Sequence, residues 1–215
     1  MNAPYFSDTQ WESWADDLAK NNYVVLNDFL NENLLASLQN FLKTKLDEEE
    51  FRRAGIGTMT DFTVDRTIRG DWIYWLDKTR DHQISEFYLL IDELMAQMNR
   101  LCYLGALDCE FHLAHYPKGT FYKRHLDQFK ERSNRILSII FYINTEWIPK
   151  NGGQLRVYDP ENRHTDIDPL PGRMVVLRSD VVEHEVLTTE VSRYSVTGWL
   201  TRHPIGVSYL GFTRT

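Results

Sequence analysis

The chain has 215 residues, 42% of them hydrophobic and 26% charged, which suits a soluble globular protein with one sizeable core. Its 24 Lys and Arg against 31 Asp and Glu give a net charge of −7, which argues against a general binder of phosphate backbones and so against a nucleic-acid partner. The two cysteines, Cys102 and Cys109, lie in no CxxC pattern, so a structural zinc site has no support and a reducing compartment is expected.

The opening "MNAPYFSDTQWESWADDLAK" carries acids and lacks the basic start and apolar run of a signal peptide. Nowhere do about 18 apolar residues run together as a membrane span needs, so a cytoplasmic protein without a membrane partner is expected. "SDTQWESWADDLAKN" begins with a helix-start residue at Ser7 and places Trp11, Trp14 and Leu18 at i, i+3, i+7, which predicts an amphipathic helix. "YVVLNDFL" (23–30) reads as a short buried strand. Helical spacing returns over 31–51, with Leu34, Leu35, Leu38, Phe41, Leu42 and Leu46 on one face, and again over 82–105, with Gly105 placed to end that helix.

From about residue 109 the rhythm changes. "CEFHLAHY", "FYKRHLDQF", "RILSIIFYIN", "GQLRVYD", "HTDIDPL", "RMVVLRS", "EHEVLT" and "RYSVTGWLT" are strand-like runs divided by turn residues. Eight such runs predict an antiparallel jelly roll, a double-stranded β-helix of cupin type. With no repeat, low-complexity tract or linker in view, a single domain is expected, in which helices of about 7–105 buttress a core of about 109–203.

Within "YKRHLDQFK", His125 and Asp127 stand at i and i+2 on a strand-like run, so both side chains project from one face. His184, 59 residues downstream in "VEHEVLT", supplies a third donor. Two imidazoles and one carboxylate, with the other positions open, form the arrangement of non-haem Fe(II) oxygenases. Zinc could take the same donors, but no adjacent base of the HExxH kind is visible. Arg193, nine residues after His184, offers a rigid fork of donors suited to a carboxylate-bearing co-substrate.

Each residue also has a plainer explanation. The three donors would serve as solvated polar side chains on a strand face, Arg193 as a surface partner of Glu183 or Glu185, and Tyr142 and Tyr116 as core aromatics. Arg69 and Asp71 would order a loop by pairing with each other. Gly152 and Gly153 read as a turn, and His112 and His115, three apart, face opposite ways on a strand.

Together, "IRGDWIYWLD", "HYPKGTFYKRHLD", "SIIFYINTEW", "NGGQLRVY", "HEV" and "RYSVTGW" resemble the 2-oxoglutarate and Fe(II)-dependent dioxygenases. The chain is most similar to the prolyl hydroxylase branch, which contains the animal enzymes acting on hypoxia-inducible factor and their bacterial relatives. The resemblance implies His125, Asp127 and His184 as iron ligands, with O2 as a second co-substrate. It implies that Arg193 holds the distal carboxylate of 2-oxoglutarate, with Tyr142 and Tyr116 in the same pocket. Arg69, Asp71, Tyr122, Arg135 and Trp199 would line a prolyl substrate channel.

The implied partner is a protein with a target proline, and bacterial relatives that act on elongation factor Tu make that translation factor the first expectation. L-ascorbate dependence, oxygen sensing and a monomeric state are further expectations of the branch. Two alternatives are the same chemistry on a free amino acid or other small molecule, and a non-catalytic cupin-like binding module. A long loop at 54–70 with Gly55 and Gly57 would favour a peptide substrate. Tyr122 stands an odd number of residues from His125, so it should lean away from the metal unless a bulge re-aims it.

Overall fold

The computed structural model describes residues 5–54, 67–128 and 134–202. Three helices, α1 (Asp8–Asn21), α2 (Glu32–Asp47) and α3 (Ser85–Cys102), lie among the first strands, β1 (Tyr23–Leu26), β2 (Arg52–Arg53) and β3 (Trp72–Trp75). Eight strands follow: β4 (Asp108–Tyr116), β5 (Tyr122–His125), β6 (Arg135–Tyr142), β7 (Leu155–Tyr158), β8 (His164–Ile167), β9 (Met174–Arg178), β10 (His184–Val186) and β11 (Arg193–Thr201). Each of the eight strand-like runs contains one of them.

The helices start where their caps dictate. Ser7 accepts from the Gln10 backbone while the Gln10 side chain reaches back, a full capping box, and Asn31 caps α2. The expected stop at Gly105 is corrected: α3 ends at Cys102, and exposed Tyr103 takes the left-handed turn with φ 51. The Asn99 side chain bonds the Ala106 carbonyl and N–H, both at 2.8 Å, and so turns the chain before Gly105 is reached.

The strands form two antiparallel sheets, one of seven in the order β1-β9-β6-β11-β4-β3-β2 and one of four in the order β5-β10-β7-β8. The jelly roll is therefore present, but β1, β2 and β3 join the larger sheet, so the N-terminal part contributes sheet as well as helix. "WIYW" forms β3 as an aromatic run on β4, a strand the expectation omitted.

Alternation on the larger sheet separates two environments. Phe111, Leu113, Leu137, Ile139, Phe141, Val176, Val196 and Leu200 face the helices and pack with Trp11, Leu38, Phe87 and Leu94. The interleaved Ala114, Tyr116, Ile140, Tyr142, Val175 and Leu177 face the smaller sheet and pack against Leu155, Val157 and Val186. The candidate co-substrate residues Tyr116 and Tyr142 lie in this second layer. No described helix is long and apolar enough to cross a membrane.

Candidate metal centre and co-substrate pocket

β5 and β10 pair antiparallel with His125 directly opposite His184, which brings together residues 59 apart in the chain. β5 stops at His125, so Asp127 is not on the strand as the spacing suggested; it sits in a bend just beyond. A hydrogen bond from Gln128 N to the Ser179 carbonyl, 3.1 Å, pins that bend. One donor atom from each of His125, Asp127 and His184 lies within 4.8 Å of the others. Both Nε2 atoms are 3.5 Å from Asp127, one at each carboxylate oxygen.

The hydrogen bonds around the triad suit a cation. His125 Nδ1 lies 2.7 Å from the Lys123 carbonyl and His184 Nδ1 3.0 Å from the Val182 carbonyl. A carbonyl only accepts, so both rings carry their proton on Nδ1 and turn the Nε2 lone pair toward Asp127. Burial raises the Asp127 carboxyl, and when the imidazoles are protonated His184 and His125 hold it well below the usual range. Burial, then His125, pushes His184 down, keeping it neutral as a ligand must be. Two neutral imidazoles and one carboxylate fit Fe(II), and His125, Asp127 and His184 are the residues that would hold it.

The position of Tyr122 follows from register. Between the pairs His184↔His125 and Val186↔Tyr122, β5 carries one residue more than β10. That bulge re-aims Tyr122, and its ring stacks on His125 at 3.7 Å between centroids. Arg69 covers the same ring at 4.3 Å.

Arg193 opens β11 opposite Tyr116. It is 2% exposed, and its guanidinium carbon is 5.0 Å from the ring centres of both Tyr116 and Tyr142. Nε donates to the Gly153 carbonyl at 2.9 Å, and among the described residues it has no carboxylate partner. The surface-pair explanation fails, because Glu183 is held by Arg124 and Glu185 by Tyr158 and Arg156. Beside it the buried Tyr142 hydroxyl has no hydrogen-bond partner among the described residues. Burial pushes that phenol up while Arg193 pulls it back. An unpaired buried cation beside an unsatisfied hydroxyl is a site built for an anion.

The pairing foreseen for Arg69 and Asp71 is present, with bonds of 2.8 and 2.6 Å. Arg135 bonds Glu110 at 2.9 Å and lies 3.5 Å over the Trp199 ring. Sequence reasoning missed Glu110 and His112, although both share β4 parity with Tyr116. It also took Gly153 as a turn only: Gly152 and Gly153 have φ 67 and 66, and a Cβ on Gly153 would press within 3.1 Å of the Arg193 side chain. Gly55 and Gly57 lie outside the described residues.

A *Pseudomonas putida* prolyl-4-hydroxylase structure aligns over 90% of this chain and 100% of its own, with 34% identity and a TM-score of 0.82. The chain belongs to the 2OG-Fe(II) oxygenases, in the prolyl hydroxylase branch. The family model for the 2OG-Fe(II) oxygenase superfamily matches residues 111–201, the span of β4 to β11. Among curated relatives, human prolyl hydroxylase EGLN3 is 32% identical over 62% of this chain, an alignment that spans 59% of the relative's length. A *Trichoplax adhaerens* prolyl hydroxylase bound to a hypoxia inducible factor peptide fragment superposes with a TM-score of 0.81 and 26% identity, covering 90% of this chain and 91% of its own. Fe(II), 2-oxoglutarate and O2 are the cofactor and co-substrates of this oxygenase family, and the donor set and the anion pocket fit them.

Proposed function

We propose that the protein hydroxylates a prolyl residue of a protein substrate, using Fe(II), 2-oxoglutarate and O2 and releasing succinate and CO2. The observation that carries this reading is the buried Arg193, without a carboxylate partner among the described residues, in the same sheet interior as the His125, Asp127 and His184 donors. Iron with 2-oxoglutarate and O2 supplies, when bound, an oxidant able to take hydrogen from an unactivated C–H bond.

The chain's own residues do the positioning. His125 and His184 are held in one tautomer by backbone carbonyls, and Asp127 stays ionised between them. Arg193 and the Tyr142 hydroxyl take the far carboxylate of 2-oxoglutarate, with Tyr116 on the other side of the guanidinium. Arg69 and Asp71, Tyr122, Arg135 and Trp199 line the substrate channel. Their mutual pairing fixes rotamers before any substrate arrives, which lowers the entropy cost of orienting it. Elongation factor Tu is the first substrate to test.

Succinate formation from 2-oxoglutarate with added Fe(II) and a prolyl substrate should be lost in His125→Ala and Arg193→Ala. Equal turnover in the native chain and both variants would sink the enzyme reading in favour of a binding module. Mass spectrometry of purified elongation factor Tu after incubation should show one added oxygen on a proline. An unmodified factor would remove it as the substrate.

A further inference from the structure

On β4, His112 lies on the face shared by Ala114 and Tyr116, and its side chain is buried. Among the described residues its Nδ1 has no hydrogen-bond partner, and neither has the buried indole N–H of Trp199. The two rings are 5.5 Å apart. Trp75, 46% exposed, meets the imidazole edge-on at 4.9 Å and lies 6.4 Å from the Trp199 ring, so the three rings close a triangle. Trp75, His112 and Trp199 thus form an aromatic shelf running inward from the surface. Burial, then the Arg69 cation, pushes His112 down to about 3, with Asp71, Arg135 and Asp127 also acting on it. His112 therefore lies within the electrostatic reach of the proposed channel residues and of Asp127.

Two buried polar atoms on one shelf, both without partners, ask for a ligand with hydrogen-bonding groups at matching spacing. An indole N–H only donates, so its partner is an acceptor such as a carbonyl oxygen. A neutral imidazole can donate or accept. A prolyl residue has no N–H of its own, so its flanking peptide groups are its polar handles, while its ring is an apolar face that packs on aromatics.

We infer that His112 reads the substrate: its Nδ1 and the Trp199 indole N–H hydrogen-bond the peptide groups on either side of the target proline as the proline ring lies on the shelf. This rests on the prolyl reading above, and it adds a residue outside the set that pairs within the channel. His112 is a binding and specificity residue, since nothing places it at the reacting atoms.

The test is nuclear magnetic resonance on the full chain loaded with 2-oxoglutarate and diamagnetic Zn(II) in the iron position, nitrogen-15 labelled at Trp and His. The probe is N-acetyl-L-proline N-methylamide, with the alanine analogue as control. The Trp199 Nε1 signal, identified by its absence in Trp199→Phe, and the His112 ring signals should shift saturably with the proline probe. His112→Leu should weaken the probe by about tenfold, the worth of one hydrogen bond, with 2-oxoglutarate affinity unchanged. His112→Gln should recover part of the loss. Failure of these signals to shift, probe binding as tight in His112→Leu, or a parallel loss of 2-oxoglutarate affinity would each overturn the inference. Prolyl turnover that survives such a result would leave the proposed function standing, and loss of prolyl turnover would remove the reading beneath it.

Discussion

The two faces of the seven-stranded sheet are made by alternate residues of the same strands, yet they differ in kind. Phe141 faces the helices and meets Phe29, Phe87 and Phe111 within 6.2 Å between ring centres. Tyr142, the next residue, faces the smaller sheet with a hydroxyl that has no hydrogen-bond partner among the described residues. The helix side is almost wholly apolar, with the Tyr88 hydroxyl as its one buried group lacking a partner among the described residues, whereas the interior holds three such groups, on His112, Trp199 and Tyr142, together with the buried Arg193. Apolar packing is concentrated on one face and polar side chains on the other, which one strand permits because its side chains alternate.

The comparison breaks most sharply at that pair of neighbours. Phe141→Ala should lower stability by about 3–5 kcal/mol in urea titration, whereas Tyr142→Phe, which only removes an unsatisfied hydroxyl, should stay within about 0.5 kcal/mol. Equal losses would erase the distinction between the faces.

On the interior side, Arg193→Ala should weaken 2-oxoglutarate by roughly a hundredfold, about 3 kcal/mol, by calorimetric titration. Its urea midpoint should hold or rise, because an unpaired buried cation has been removed. A collapsed midpoint would make Arg193 a structural residue.

Acid sharpens the contrast further. His112 has a folded value of about 3 against an unfolded 6.5, so the unfolded chain binds the proton first. Its contribution is fully present above pH 6.5 and declines as pH falls toward 3, at about 1.4 kcal/mol per unit and so by about 2 kcal/mol at pH 5. His184 is shifted the same way. Unfolding titrations at pH 7 and pH 5 should show His112→Leu losing that share of the slope, and an unchanged slope would mean His112 is not buried neutral.

A small effect of the opposite sign lies off both faces. Tyr103→Gly should stabilise by about 0.5–1 kcal/mol, since the left-handed turn suits glycine. Destabilisation would mean the Tyr103 side chain does more than its exposure suggests.

Much of this was legible in the chain. The eight strand-like runs, the helix start at Ser7 and the apolar helix faces are local patterns, which the sequence reports because side-chain direction is fixed by backbone geometry. The donors His125, Asp127 and His184 were also readable as residue types suited to iron. β3 was missed because a short aromatic run is marked as a strand only by the neighbour it pairs with. Gly105 was preferred over Tyr103 because the tie from Asn99 to Ala106 lies in no local pattern.

The sequence by itself determined the alternation, the chemistry of the donors and the helical faces, all of which depend on residues a few positions apart. Only the tertiary structure decided that His125 stands opposite His184, that Asp127 belongs to a bend and that an extra residue in β5 turns Tyr122 onto the imidazole. It alone put His112 against both Trp75 and Trp199 with no partner for its Nδ1 among the described residues. Register and bulges are set by pairing across the sheet, and the energy that selects them comes from contacts between segments far apart in the chain.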